Sequence, residues 1–167
     1  MNKMTEDNLR RAFAGESQAQ QTYREFAAKA QEEGYGNVAR LFAATSYSEQ
    51  VHAGLILRAI GGVSDTVANL GVALSGEAFE ALQAYPACIA VAKLQGEDQA
   101  SEVLGWTLEA EKVQVNLYQE AQSAVEAGRD VELLAVFVCP DCGYISKDQP
   151  PEKCPLSGTP GREFRGF

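Results

Sequence analysis

The sequence Glu49-Gln50-Val51-His52 lies in the middle of a predicted helix, on the face that should be buried. Residues three or four positions apart share one face of a helix, so Glu49 and His52 lie side by side. The rest of that face, over residues 37–60, is mostly apolar: Val38, Leu41, Thr45, Ile56 and Ala59. A carboxylate in such a position requires a partner, because burying an unpaired charge costs several kcal/mol.

Three further amphipathic helices are predicted, and they cover residues 5–33, 76–95 and 98–127. Each of them also carries glutamate on its apolar face: Glu16 on the first, Glu77 and Glu80 on the third, and Glu111 on the fourth. Pro86 lies inside the third helix and predicts a kink there. All four helices therefore direct at least one acidic side chain toward a common core.

Residues 63–75 are predicted to form a long connection between the second and third helices. A connection of this length suits a crossover along the bundle, which makes those two helices parallel. The expected fold is therefore an all-α four-helix bundle with one long crossover. A small domain of loops and short strands is expected to follow it.

Five glutamates that converge on one core need to be neutralised. A single glutamate on a mixed face usually reaches solvent, but no lysine or arginine lies on these faces to pair with five. Either most of them are protonated or cations bind among them. Two transition-metal ions would supply the charge, and carboxylates with an imidazole suit iron or manganese. Helical bundles with Glu-x-x-His pairs hold di-iron or di-manganese sites of this kind.

The composition changes near residues 133–135, after which proline, glycine and cysteine become frequent. This change predicts two domains, a bundle over residues 1–134 and a metal-binding domain over residues 135–167. So short a segment buries little apolar surface, and a metal would stabilise it. Two knuckle-like sequences supply candidate ligands for iron or zinc: Cys139-Pro140-Asp141-Cys142 and Cys154-Pro155-Leu156-Ser157.

The charge and the N-terminal residues exclude several classes of protein. A formal net charge of −9 makes nucleic acids and anionic membranes unsuitable partners. The charged N-terminal residues lack the apolar region of a secretory signal, and no stretch approaches ~20 apolar residues. A cytoplasmic location is expected, where thiols stay reduced and clustered cysteines are typically metal ligands.

Together these motifs resemble the rubrerythrin family. The resemblance is carried by Ala14-Gly15-Glu16-Ser17-Gln18-Ala19, Glu49-Gln50-Val51-His52, Gly76-Glu77-Ala78-Phe79-Glu80, Tyr85-Pro86 and Cys139-Pro140-Asp141-Cys142-Gly143-Tyr144. It covers nearly the whole chain, and it implies a ferritin-like di-iron bundle followed by a rubredoxin-like domain. It also implies reduction of hydrogen peroxide, an electron donor protein, a homodimer and a role in oxidative stress. Electrons would pass from the rubredoxin-like iron of one subunit to the di-iron site of its partner.

Transferred by position, the resemblance implies a ligand set for each iron. One iron would take Glu16, Glu49, His52, Glu80 and Glu111, and the other would take Glu49, Glu77 and Glu111. Glu49 and Glu111 would bridge the two ions. His52 and Glu80 would exchange as ligands when the oxidation state changes, and Tyr23 would hydrogen-bond a ligand carboxylate. Glu80, His52 and Tyr23 are therefore the expected catalytic residues.

Two positions depart from the family pattern. Gln114 stands where the fourth helix should carry a histidine, and its amide oxygen could ligate the second metal weakly or hydrogen-bond a bound water. Ser157 stands where the second knuckle should carry a cysteine, which leaves three thiolates for iron or zinc. Two other functions therefore stay open. One is a ferritin-like iron-binding or oxygen-scavenging protein with impaired electron transfer, and the other is a zinc-stabilised sensor or structural protein.

Overall fold

A computed structural model describes all 167 residues of the chain, Met1–Phe167. Its helices are α1 Lys3–Glu32, α2 Gly36–Ala59, α3 Thr66–Phe79, α4 Tyr85–Gln95 and α5 Asp98–Glu126. Its strands are β1 Val136–Val138, β2 Ile145–Lys147 and β3 Arg165–Gly166. A π-helical turn, Glu80–Ala84, joins α3 to α4, and a 3₁₀ turn, Gly161–Glu163, precedes β3. The prediction of a mostly helical chain with a small C-terminal β module is confirmed.

The chain divides into two compact units, and the first of them, Met1–Ser64, is a hairpin of α1 and α2. Small residues line the contact between its two helices, where Ala30, Ala39, Ala53 and Ser46 are buried. The Ser46 hydroxyl donates a hydrogen bond of 2.7 Å to the carbonyl of Gln20 across this contact. The small side chains let the two helices approach closely, and they give the hairpin little apolar interior of its own.

The second unit, Asp65–Phe167, packs α3 and α4 against α5 and includes the β module. Its buried helical residues are again small: Ala81, Ala92, Ala110 and Ala124. In the module, β1 lies between β2 and β3, and both pairings are antiparallel. Lys147 of β2 forms an ion pair with Glu120 of α5. The predicted domains, residues 1–134 and 135–167, stay predictions.

The predicted start of the third helix is wrong. The sequence predicts an irregular segment over residues 63–75, but α3 begins at Thr66 and the connection after α2 is only Ile60–Asp65. Asp65 caps α3, because its carboxylate accepts a hydrogen bond of 2.9 Å from the backbone N–H of Ala68. The apolar residues that follow do not mark one clear helix face, so periodicity gives no signal there. The cap favours a helix nonetheless, because no proline follows to interrupt it.

The predicted kink in the third helix corresponds to the π-helical turn. Pro86 has no backbone N–H to donate to a carbonyl one turn earlier, and the helix widens over Glu80–Ala84 just before it. Turns of this kind are frequent at functional sites, and Glu80 is the first residue of this one. None of the helices is both long and apolar enough to cross a membrane.

Candidate metal centres

The first acidic cluster consists of Glu16 from α1 with Glu49 and His52 from α2. One donor atom of each residue lies within 4.8 Å of the others. The His52 Nδ1 atom is 3.0 Å from Glu49 Oε2 and 3.5 Å from Glu16 Oε2. Because Glu49 and His52 are three residues apart on α2, the helix itself presents both to one ion.

The two carboxylates of the first acidic cluster shift each other's pKa in opposite directions. The hydrogen bond with Glu49, and then burial, raise the pKa of Glu16. The same contact, together with His52, lowers the pKa of Glu49. Glu49, and to a lesser degree Glu16, raises the pKa of His52. The two carboxylates and the imidazole thus act on one another, and their donor atoms face a common point that a cation could occupy.

The second acidic cluster consists of Glu77, Glu80 and Glu111, and it joins α3 and the π-helical turn to α5. One carboxylate oxygen of each lies within 4.8 Å of the others. Glu111 is only 8% exposed. Burial, and then the hydrogen bond and charge of Glu77, raise the pKa of Glu111 to about 8. No lysine or arginine ion-pairs with any of the three, so this cluster has an excess of negative charge that protons or cations must offset.

Two neighbouring side chains support the second acidic cluster. The Gln114 amide nitrogen donates a hydrogen bond of 3.0 Å to Glu111 Oε2. Tyr85 lies beside the cluster, where burial and the charges of Glu80 and Glu111 raise the pKa of its phenol. Gln114 thus lies one turn after Glu111 on α5 and contacts its carboxylate. The sequence resemblance led us to expect an imidazole at this position.

The cysteine cluster consists of Cys139, Cys142 and Cys154, whose sulfur atoms lie within 4.8 Å of one another. The Sγ atoms of Cys142 and Cys154 are 3.4 Å apart. The Ser157 hydroxyl is 3.4 Å from the Sγ atom of Cys139, so an oxygen joins the three sulfurs. Cys139 and Cys154 are buried, with Phe164 packed beside them. The module's small core is therefore built around the cluster.

The two knuckles share one backbone geometry. The Cys139 carbonyl accepts a hydrogen bond of 3.0 Å from Gly143, and the Cys154 carbonyl accepts one of 3.0 Å from Gly158. Both glycines have positive φ angles, 75° and 78°, which only glycine adopts readily. The second knuckle therefore keeps the conformation of a metal-binding loop although Ser157 replaces its second cysteine.

A hydrogen-bond chain that the sequence did not predict surrounds Ser157. The Ser157 and Thr159 hydroxyls are 2.6 Å apart, and Thr159 donates to the carboxylate of Asp141. Burial opposes ionisation of Cys139, but hydrogen bonds from Ser157 and Thr159 lower its pKa to about 7. Burial and then Cys154 raise the pKa of Cys142 to about 11. The available sequence signal was the hydroxyl residue Thr159 directly after Ser157-Gly158. The structure shows that this residue is buried.

The donor chemistry of the clusters fits metal ions. Three thiols and a hydroxyl match a tetrahedral site for iron or zinc. Carboxylates with one imidazole match iron or manganese. The six predicted bundle ligands fall into the two acidic clusters, one in each unit. The ring of Tyr23 packs against Phe26 and Phe42, with ring centroids 6.4 and 6.2 Å away.

The helices, the acidic clusters and the cysteine module define a class of protein, the ferritin-like carboxylate proteins that carry an added rubredoxin-like domain. The sequence model of the rubrerythrin family matches residues 7–122. The chain belongs to the rubrerythrin family, whose members are iron-binding oxidoreductases with a di-iron site. The prediction of a ferritin-like bundle with a rubredoxin-like domain is thereby confirmed.

Individual relatives resemble the chain over nearly its whole length. Rubrerythrin-2 of Clostridium acetobutylicum is 34% identical, with 99% of this chain and 98% of that protein covered. Nigerythrin of Nitratidesulfovibrio vulgaris is 35% identical, with 98% of this chain and 86% of that protein covered. The solved structure of fully reduced, all-ferrous nigerythrin has a TM-score of 0.58 at 33% identity, covering 98% of this chain and 86% of that one.

Proposed function

We propose that the chain is a non-haem di-iron peroxidase that reduces hydrogen peroxide to water with electrons delivered through the cysteine module. The observation that supports it most is the pair of acidic clusters, which hold five glutamates and one histidine without a lysine or arginine ion pair. A donor set of this charge suits two iron ions. A cytoplasmic homodimer supplied by an electron donor protein is part of the proposal.

In this proposal Glu16, Glu49, His52, Glu77, Glu80 and Glu111 hold the iron. Bound iron would supply the electrons for reduction of peroxide. The protein would supply position and charge, because these side chains come from different helices and are mostly carboxylates. Glu80 lies at the π-helical turn, a segment whose hydrogen bonding is less regular than that of the helices around it, so it is suited to change its position.

Protons are the second requirement, because each peroxide reduced to water consumes protons as well as electrons. Tyr85 keeps its phenolic proton beside Glu80, since burial and the charges of Glu80 and Glu111 raise its pKa. This phenol would orient an oxygen atom of a bound peroxide by hydrogen bonding.

The test is rapid mixing of anaerobically reduced, iron-loaded protein with hydrogen peroxide and, separately, with oxygen. Oxidation by peroxide should be faster than oxidation by an equal concentration of oxygen. The matched control is the Glu49→Gln/Glu111→Gln chain, which should lose the reaction because each acidic cluster lacks one of its carboxylates. A peroxide reaction no faster than the oxygen reaction would contradict the proposal.

A second function is favoured by Gln114. Its amide donates to Glu111, and no imidazole occupies that side of the second acidic cluster. A weaker metal position there, with Ser157 in the cysteine cluster, would suit an iron-binding or oxygen-scavenging protein with impaired electron transfer. Oxygen consumption that matches or exceeds peroxide turnover in the same mixing experiment would support this alternative.

A further inference from the structure

The two acidic clusters are complementary halves of one donor set. The first unit offers Glu16 and a Glu-x-x-His pair, and the second offers Glu77, Glu80 and Glu111. A ferritin-like di-metal site takes its ligands from four helices, two in each half. Neither unit has that set alone. The metal site that the proposed function requires therefore needs both kinds of unit.

The first unit leaves large apolar residues exposed. A two-helix hairpin has no interior in which to bury them, and helices become stable by covering such a face with another layer. On α2, Leu41 is 64% exposed, Leu55 is 55% exposed and Val51 is 42% exposed. This helix needs a partner along much of its length.

The second unit also leaves large apolar residues exposed. Phe79 and Leu82, which flank Glu80, are 55% and 75% exposed, and Val72 of α3 is 73% exposed. Exposed apolar area of this extent in a water-facing chain usually marks an interaction surface. The second unit therefore also has an apolar surface that a further layer of helices would cover.

The length of the connection between α2 and α3 is fixed at both ends. Gly61 has a φ of 71°, and its N–H bonds the carbonyl of Arg58, which ends α2. A Cβ atom on Gly62 would lie 2.4 Å from the Leu57 side chain, so the chain turns away tightly. Asp65 caps the start of α3. Only Ile60–Asp65 is available to join the two helices.

That connection is too short for a ferritin-like bundle made from one chain, in which α2 and α3 run parallel. Measured along the helix axis, Glu49 lies about 15 Å before the end of α2. Glu77 lies about 17 Å after the start of α3. Bringing the two carboxylates level requires the chain to return by more than about 30 Å along the axis. The residues between Ala59 and Thr66 extend to at most about 25 Å.

We propose that the bundle forms between two copies of the chain, with α1 and α2 of one copy completing α3, α4 and α5 of the other. Each dimer would then hold two equivalent di-iron sites, and each site would contain the first acidic cluster of one copy and the second of its partner. This proposal rests on the proposed function only in requiring that the clusters hold iron. It does not depend on the substrate.

Charge favours this exchange over pairing of like units. The first unit carries as many basic as acidic residues, so the excess negative charge of the chain lies in the second unit. Pairing two second units would bring six glutamates together with no imidazole, whereas pairing unlike units gives each site one histidine. Like-charge repulsion therefore opposes the symmetric alternative.

A complementation experiment with two variants tests the exchange. One chain carries Glu16→Gln and Glu49→Gln, and the other carries Glu77→Gln and Glu111→Gln, each with its own affinity tag. Co-expression and purification over both tags isolate the mixed dimer. In an exchanged dimer one site receives both defective halves, and the other receives both intact halves. Every site of an unexchanged or symmetric dimer would contain one defective half.

The readout is iron bound per chain after anaerobic loading with ferrous iron, above the amount held by the cysteine module, which is the same in all samples. The mixed dimer should retain about half of the wild-type content, and each homodimeric variant should retain almost none. Light scattering should give a dimer for all samples. A mixed dimer as empty as the homodimers, or a monomeric wild type that holds its iron, overturns the exchange but not the proposed function. Wild type without bundle iron overturns both.

Discussion

Ser157 is the residue that most limits the cysteine cluster as an electron carrier. Its hydroxyl lies beside the sulfur of Cys139, where a fourth ligand would be expected. The knuckle that contains Ser157 has the same backbone hydrogen bond as the knuckle with two cysteines. We expect Ser157→Cys to raise iron affinity by more than about tenfold, because a fourth thiolate completes the tetrahedron. Chelator competition measures the affinity, with Ser123→Cys on the exposed face of α5 as the control. Equal affinity in both variants would show that Ser157 does not stand at a ligand position.

Gln114 has the corresponding place beside the second acidic cluster. We expect Gln114→His to slow loss of the second bundle iron by about tenfold, because an imidazole ligates more strongly than an amide. Gln114→Leu, which removes the hydrogen bond to Glu111 without adding a ligand, is the matched control. Iron retained per chain during dialysis against chelator measures the effect. A histidine variant that loses iron as fast as the leucine variant would contradict a role at the metal.

Glu111 should make the stability of the metal-free protein depend on pH. Its pKa is about 8 in the folded chain against an ordinary 4.5, so the folded state holds a proton that the unfolded chain releases. The stability that this proton provides is complete below pH 4.5 and is lost as the pH rises through 8. The melting temperature of metal-free protein should fall over this range, and Glu111→Gln should reduce the fall. A variant with an unchanged pH dependence would contradict this.

At this scale the sequence predicted which residues converge but not how they pair. Helical spacing was enough to place Glu49 beside His52, because α2 itself sets their distance. The chain from Ser157 through Thr159 to Asp141 depends on two loops meeting in space, which no local pattern records. The predicted roles of Tyr23, His52 and Glu80 in catalysis stay predictions.

At the scale of secondary-structure elements, the C-terminal end of α2 determines where the short connection begins. We expect Gly61→Ala to destabilise the fold by about 1 kcal/mol, because its φ of 71° places a side chain in the left-handed region. Gly36→Ala is the matched control. Gly36 lies at the start of α2 with open space around it, so alanine should be neutral or stabilising. Urea unfolding compares the two, and equal effects would contradict this role for Gly61.

The third helix shows where prediction from elements failed. Its apolar residues before Gly76 do not follow one face, so periodicity placed the start too late, whereas the Asp65 cap sets it at Thr66. Pro86 did predict a disruption, but its form, a π-helical turn that begins at Glu80, results from helix packing as well as from proline.

For the molecule as a whole, composition was enough to predict helices followed by a small cysteine-containing β module, because the two parts differ in glycine, proline and cysteine. The division into Met1–Ser64 and Asp65–Phe167 was not predicted. The short connection between α2 and α3 was also missed, because the sequence placed the start of the third helix too late. The proposed exchange between copies therefore came from the structure.

The central claim is that the glutamates of the two acidic clusters hold iron. Elemental analysis after anaerobic loading tests it most directly, comparing wild type with the Glu49→Gln/Glu111→Gln chain. The cysteine module contributes equally to both samples, so the difference reports the bundle alone. We expect the wild type to hold about two more iron ions per chain than the variant. Equal iron content in the two proteins would contradict the claim.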